Sequence, residues 1–352
     1  MTMTKHLEWG HLRVSRSSSI LQVARILQET SSRIVLVVDN DDKLIGIVTD
    51  GDIRRGLLAG VSADESCEKV LNFSPRVIGP EGRLDEALRL TSGGEAGAIP
   101  IVSQDRVVHG VWVSHMSERK LKNRVIIMAG GKGVRLRPMT SSVPKPLVSL
   151  GDKPMLHRLL ENLSAEGFRE VSISINYLGE QIEESVGDGS SWGLTVTYLR
   201  EKLALGTAGS LGLLEPGPTD PVLVINADVL TGARFGDLLK QHTRLGAAIS
   251  VGMRIHDIEH PFGVLDLDGS KVMGIREKPI WREFVSAGVY ALSPEVFRLI
   301  SGDQHLDMPD LVSLALSQDL QVEGFPLHEP WLDVGTPEDF RAAQDWVKAT
   351  EK

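Results

Sequence analysis

Residues 125–150 read VIIMAGGKGVRLRPMTSSVPKPLVSL. The first four, Val125, Ile126, Ile127 and Met128, form a short apolar run that suits a strand buried on both faces. Ala129, Gly130, Gly131 and Gly133 come next, so a buried strand is expected to run straight into a glycine-rich loop. Glycine lets the backbone take positive φ and bring N–H groups close to a ligand, which is how such loops cradle phosphate oxygens. Lys132, Arg135, Arg137 and Lys145 lie in or just beyond the loop and would neutralise a polyphosphate. Two familiar phosphate loops do not fit. No Gly-Lys-Ser/Thr closes the stretch as in a P-loop, and Leu136 stands where a dinucleotide fingerprint needs its third glycine. Glycines after a strand are often a tight turn and nothing more. The length of the pattern argues for more: Gly130-Gly131, Gly133-x-Arg135-Leu136, Pro138, Thr140 and Pro144-Lys145-Pro146-Leu147.

That string resembles the signature of the sugar-1-phosphate nucleotidyltransferases, which join a nucleoside triphosphate to a sugar 1-phosphate and release pyrophosphate. The resemblance implies an α/β fold: a Rossmann-like, GT-A-like mixed-sheet domain. It also implies nucleotide binding by Met128, Ala129, Gly130, Gly131 and Gly133, with Arg135 and Lys145 acting on the phosphates. The rest of the chain beyond residue 121 alternates strand-like and helix-like stretches, and ligands in such sheets bind at the carboxyl ends of strands. Val222-Leu223-Val224-Ile225 leads into Asn226-Ala227-Asp228, and a second carboxylate follows in Trp331-Leu332-Asp333. A hard cation such as Mg²⁺ takes oxygen ligands of this kind. By resemblance, Asp228 and Asp333 are the metal-binding pair and Asp228 is also catalytic. Asp333 could instead start the following helix, but Thr336 with Pro337 is the better cap.

Three further motifs extend the resemblance. Residues 200–210, REKLALGTAGS, match the loop that faces the nucleobase, and Glu201, Gly206 and Thr207 are the expected contacts, although Ala204 replaces a common Pro. Arg276-Glu277-Lys278-Pro279 implies that Glu277 takes sugar hydroxyls and Lys278 the sugar phosphate as a catalytic cation; alone, the segment would read as a solvated charge pair. His260-Pro261-Phe262-Gly263 places Gly263 beneath the sugar. Ser286 stands where relatives carry Asn, so the recognition of sugar hydroxyls is expected to differ.

Residues 1–120 are expected to form a separate α+β domain, with 121–352 catalytic and the linker at 117–123. Residues 18–116 carry one pattern twice, a helical stretch followed by two strands, as a tandem repeat of about 60 residues. The first copy ends Gly46-Ile47-Val48-Thr49-Asp50-Gly51-Asp52, which resembles a cystathionine-β-synthase (CBS) motif. The resemblance implies that Thr49 and Asp52 contact an adenosine nucleotide. The second copy has Val113 and Met116 at those positions. Thr49 and Asp52 are equally good helix-capping chemistry, and the pair could serve only in dimerisation.

The chain has 352 residues with a formal charge of -9, 41% hydrophobic and 24% charged residues. Such an acidic balance argues against broad non-specific nucleic-acid binding, so an anionic ligand is expected to be held by a local cation cluster. Cys67 is the single cysteine and cannot form an internal disulfide. Neither a signal peptide nor a membrane-length apolar run is evident, so a cytoplasmic protein with no membrane partner is expected. The chain ends soon after residues 338–349, which leaves no room for a hexapeptide-repeat β-helix, and one reaction is expected. The pairing of a CBS repeat with this catalytic pattern resembles glucosamine- and mannose-1-phosphate guanylyltransferases. It implies Mg²⁺ as cofactor, GTP and glucosamine 1-phosphate as substrates for surface-glycan or nonulosonic acid synthesis, and a homo-oligomer. Mannose, heptose or glucose 1-phosphate with GTP, UTP or CTP is the alternative. So is a non-catalytic, nucleotide-binding regulatory subunit.

Overall fold

The computed structural model describes residues 2–30, 33–91, 97–115, 121–301 and 304–350. Met116 and residues 117–120 of the expected linker lie outside the described residues. The chain forms two compact units. The first takes in residues 1–121 together with Thr231–Ala233 and His328–Pro330, and the second comprises the remainder.

The first unit holds two three-stranded sheets. One has the order Arg13–Val14, Ile34–Val38, Leu44–Thr49, and the other Thr2–His6, Val108–His115, Ala98–Val102. Ile34–Val38 is buried along its whole length, as its unbroken β-branched and Leu composition requires. The turn that follows is built by Asp39, whose Oδ1 accepts from the N–H groups of Asp41 and Lys43. The two hairpins join turn to turn: Leu44 N–H donates to Arg106 and Val108 N–H to Asp42. Helix Ile20–Glu29 starts on a capping box of Ser19 and Gln22, which satisfies two otherwise unpaired donors.

The second unit is built on a seven-stranded mixed sheet. Its order is Thr195–Arg200, Glu170–Ile175, Val125–Met128, Val222–Asn226, Ile280–Leu292, Ile249–Glu259, Val322–Pro326. The first four strands are parallel, and Ile280–Leu292 runs antiparallel to both neighbours. Val125, Ile126 and Ile127 and the apolar residues of Val222–Asn226 are fully buried. Helix Phe235–Leu245 has no side-chain cap from its own flank. Glu166 supplies one from a distance, accepting from the N–H groups of Phe235 and Gly236 at 3.1 and 3.0 Å. On the same helix, His242 is 1% exposed, with Ser250 Oγ at 2.9 Å and Ser293 Oγ at 3.0 Å. Burial pushes its pKa down to about 4.

Two smaller features remain. Val229–Thr231 and Trp331–Asp333 pair as a two-stranded ribbon. The distal halves of Ile249–Glu259 and Ile280–Leu292, with the hairpin Val264–Asp268 and Lys271–Arg276, form an arm whose side chains are mostly exposed. No helix among the described residues is long and apolar enough to cross a membrane.

Candidate active site

The central strand Val125–Met128 lies between two parallel neighbours in matched register, so Ser174, Met128 and Asn226 sit side by side at one edge. The loop that follows is stitched to both neighbours: Ala129 N–H donates to Ser174 and Ala227 N–H to Met128. Gly133 adopts φ +58, and a Cβ there would come 3.0 Å from Lys145 Cβ and 3.1 Å from Thr140 Cγ2. A side chain would be strained by the backbone and by the neighbours together. A Cβ at Gly131 would meet nothing within 4 Å. The loop is thus tight at Gly133 and open at Gly131, the shape needed for N–H groups to approach an anion.

Lys145, in the turn Lys145–Leu147, pairs its Nζ with Asp228 just beyond Val222–Asn226. The two side chains are 12% and 24% exposed. Val334 N–H donates to the Asp228 carbonyl at 3.1 Å, which brings the end of the ribbon, and with it Asp333, beside Asp228. Burial raises the Asp333 carboxyl above its ordinary range and the Asp228 charge raises it further, while Lys145 and Arg135 oppose them. Arg135 packs its guanidinium on Gly335, where a Cβ would lie 3.3 Å from its Nη2. Asp333 is not used as a helix cap. Thr336 accepts from Asp339 N–H, and the Asp339 carboxylate accepts from Thr336 N–H and Oγ1. Two neighbouring carboxylates with oxygen-only donors fit a hard divalent cation. Arg135, Lys145, Asp228 and Asp333 therefore stand together.

The loop over residues 200–210 is held by partners that no local pattern announces. Glu201 Oε1 accepts from Ser174 Oγ at 2.6 Å and Oε2 from Leu205 N–H at 2.8 Å. A Cβ at Gly130 would lie 2.8 Å from Glu201 Oε1, so carboxylate and glycine loop are in contact. Thr207 donates both its N–H and its Oγ1 to Asp307, and its Oγ1 accepts from Met308 N–H. Gly206 takes φ +77 against the Leu306 carbonyl. Glu201 and Thr207 thus already spend hydrogen bonds on shaping this loop, and base contacts from them would use the groups that remain.

Glu277 and Gly263 meet on the arm, where a Cβ at Gly263 would lie 2.8 Å from Glu277 Oε2. Lys278 follows at φ +42 and both charged residues are exposed. Among the described residues no ion pair joins them to Lys145 or Asp228. Ser286 Oγ lies 2.7 Å from Tyr290 OH. Two residues on, Gly288 at φ +70 leaves room for Asn226, whose Nδ2 would be 2.8 Å from a Cβ there. The strand Ile280–Leu292 thereby reaches the edge that carries Asp228. In the first unit, Thr49 caps helix Asp50–Leu58 and forms a capping box with Asp52. Asp52 Oδ2 accepts from Thr49 N–H and Oγ1, and Oδ1 accepts from Arg55 at 2.6 Å.

Sequence reasoning did not single out Ser174, Asn226's contact with Gly288, or Asp307. The last two partnerships join residues far apart in the chain and leave no local signature.

Comparison with known proteins bears on this arrangement. The nucleotidyl transferase family profile matches residues 124–350. The chain belongs to that family. A CBS-domain profile matches residues 3–59, so the family domain is preceded by a CBS domain. Among curated relatives, a mannose-1-phosphate guanyltransferase of Yarrowia lipolytica is 34% identical over 226 residues, covering 61% of each chain. The mannose-1-phosphate guanylyltransferase catalytic subunit beta of Danio rerio is 33% identical over 232 residues, covering 62% of each. The chain thus spans about 61% of the length of the curated relatives it matches. The crystal structure of HddC from Yersinia pseudotuberculosis superposes with a TM-score of 0.51 at 24% identity, covering 64% of this chain and 99% of that one. This last likeness speaks for the fold alone.

Proposed function

We propose that the chain is a sugar-1-phosphate guanylyltransferase, joining GTP to a hexose 1-phosphate. The observation that carries this reading is the meeting of Lys145, Asp228 and Asp333 beside a glycine loop that is open at Gly131. In the reaction an oxygen of the sugar phosphate bonds to the α-phosphorus, the bond from that phosphorus to the bridging oxygen breaks, and pyrophosphate departs with the electron pair. The attacking oxygen is already an anion, so no general base is needed. What the protein must supply is alignment of two anions that repel each other, and positive charge where the leaving group gathers negative charge. The loop N–H groups and Arg135 would hold the triphosphate, Lys145 the phosphates near the reacting centre, and Lys278 the acceptor phosphate. Mg²⁺ held by Asp228 and Asp333 would neutralise phosphate charge and orient the oxygens it binds.

The names of the relatives favour mannose 1-phosphate as acceptor. Glucosamine 1-phosphate is the second reading, supported by the accompanying CBS domain and by Ser286, a shorter side chain than the Asn of relatives. The test is pyrophosphate release with Mg²⁺, crossing four nucleoside triphosphates against mannose, glucosamine, glucose and heptose 1-phosphates, with and without AMP or ATP. Release with GTP and one hexose 1-phosphate is expected. An effect of adenosine nucleotide that is lost in Asp52→Ala would assign a ligand to Thr49 and Asp52. Nucleotide binding without release by any pair would overturn the catalytic reading in favour of a regulatory subunit.

A further inference from the structure

The arm of the second unit is a two-stranded ribbon from root to tip. Residues 253–259 pair with 280–286, His260 N–H donates to the Pro279 carbonyl, and Val264–Asp268 then pairs with Lys271–Arg276. The root is held to the body of the unit. Arg254 Nη1 donates to the Trp331 carbonyl at 2.7 Å, and Trp331 Nε1 donates to the Ala287 carbonyl at 2.9 Å. A two-stranded ribbon is marginally stable at best in water on its own, so the arm beyond this root stands to gain from a cover.

The hairpin at the tip is amphipathic, with its apolar face turned to solvent. Leu265 and Leu267 alternate with Asp266 and Asp268, and across the ladder Leu265 stands opposite Ile275 and Leu267 opposite Val272. Alternate residues of a strand share a face, so these four side chains form a two-by-two apolar array. Asp266 and Arg276 pair at 2.9 Å on the other face. Alternation of this kind ordinarily sets its apolar side against a core, yet all four side chains are at least half exposed. At the bend, the His260 ring lies against those of Phe262 and Trp281, and both of these are exposed too. Of the 21 large apolar side chains that are exposed among the described residues, ten fall between residues 258 and 284, each 44% to 70% exposed. They present on the order of 1,000 Å² of surface, where the largest apolar patch on a typical monomer is about 300–600 Å² and one partner of a standard interface contributes about 800 Å².

We propose that this ribbon is a dimerisation arm, whose apolar face packs on the same arm of a second copy of the chain. The surface it offers is what one side of a stable dimer needs. Its charges favour a copy of itself over a strongly acidic or basic partner: residues 253–286 carry five cations and six carboxylates, and Asp257 with Arg282 and Asp266 with Arg276 are already paired within the arm. In a two-fold contact each patch meets itself, so a face of one sign would repel its own copy. The array of Leu265, Leu267, Val272 and Ile275 carries no charge and can stack on its twin as two sheets stack.

The experiment is sedimentation of the full chain across the micromolar range, with hydrogen exchange read by mass spectrometry at the same concentrations. The wild-type chain is expected to be a dimer that dissociates on dilution. Leu265→Thr/Ile275→Thr keeps strand-forming residues in the hairpin and removes the apolar pair from both copies at once, so it should weaken the dimer on the order of 100-fold or more. Leu316→Thr, an exposed leucine on helix Met308–Ser317 of the same unit, should leave it unchanged. Exchange needs no variant and carries the test should the double change fail to fold: residues 262–284 should be protected where the chain is dimeric and should exchange faster on dilution. A chain that stays monomeric at every concentration overturns the proposal. So does a dimer whose arm exchanges alike at every concentration or whose dissociation the arm substitutions leave untouched, because its contact then lies elsewhere. Glu277 and Lys278 lie on the arm just past Lys271–Arg276. On the transferase reading above, the KM for sugar 1-phosphate should therefore rise on dilution below the dimer's dissociation constant while the KM for GTP holds. That consequence alone rests on the reading: absence of turnover would sink the reading and leave the sedimentation and exchange results to decide the arm.

Discussion

Gly131→Ala separates the two duties a glycine loop can have. A Cβ at Gly131 meets no atom within 4 Å, and its φ lies outside the left-handed region. The methyl group therefore costs the folded chain nothing, and by restricting the unfolded chain it should stabilise by about 0.4–1 kcal/mol. The open space it enters is where a triphosphate would lie against the loop. Displacing phosphate oxygens from preorganised N–H donors should lower kcat/KM on the order of 10²-fold. Gly133→Ala is the contrast. At φ +58, with Lys145 Cβ 3.0 Å away, it should cost about 1–2 kcal/mol in folding from the backbone alone, and also displace Lys145. Urea denaturation and steady-state pyrophosphate release on the two variants read both quantities. A Gly131→Ala protein with wild-type kcat/KM would refute the placement of phosphates on this loop, whatever its stability.

Asp228→Ala should reduce turnover by about 10²–10³ at saturating substrates, measured as pyrophosphate release; near-wild-type turnover would remove Asp228 from the machinery. Gly206→Ala places a Cβ 2.6 Å from the Leu306 carbonyl at φ +77 and should lower stability by at least about 1–2 kcal/mol; an unmoved urea midpoint would contradict the geometry of that loop. His242 supplies a pH test. Burial lowers its pKa to about 4 from an ordinary 6.5, so its neutral form is favoured in the folded chain. The stability that depends on it is present above pH 6.5 and lost as pH falls toward 4, about 3 kcal/mol in all. His242→Gln should flatten the urea midpoint over that window relative to wild type, and parallel pH profiles would show that the folded chain accommodates the charged ring.

What the sequence reveals of this fold is what is local. Val125–Met128 and Val222–Asn226 announce buried strands because every apolar side chain in them has to be hidden on one face or the other. Asp228 is legible because a carboxylate directly after such a strand must emerge at the sheet edge. Thr336 and Asp339 are legible because a cap acts within one turn. The pairing of Lys145 with Asp228 is a different matter. Each is flagged by its own motif, but 83 positions separate them, and nothing short of the folded sheet puts one against the other. Asp307 with Thr207, at a separation of 100, and Arg54 with Glu329, at 275, belong to the same class. Neither Asp307 nor Glu329 sits in a pattern that asks for a partner.

Thr49 and Asp52 present the opposite case, in which the residues are legible and their role is not. A helix cap needs a hydroxyl at the first position and a carboxylate three residues on; an adenosine site needs a hydroxyl near phosphate and a carboxylate near ribose. The two demands fall on the same atoms. In the folded chain Asp52 Oδ2 is taken by Thr49 and Oδ1 by Arg55, so a ribose would have to share or displace those donors. Arg55 is the weaker hold, an i,i+3 pair with its side chain 56% exposed, and such pairs contribute little. Of the two donors, Arg55 is therefore the one a ribose would displace with the cap left in place. Arg55→Ala should then tighten adenosine nucleotide binding, measured by calorimetry on the full chain, while leaving the cap and its helix intact. Weaker binding in that variant would place Arg55 among the ligand's contacts instead, and its loss of a phosphate partner would be the reason.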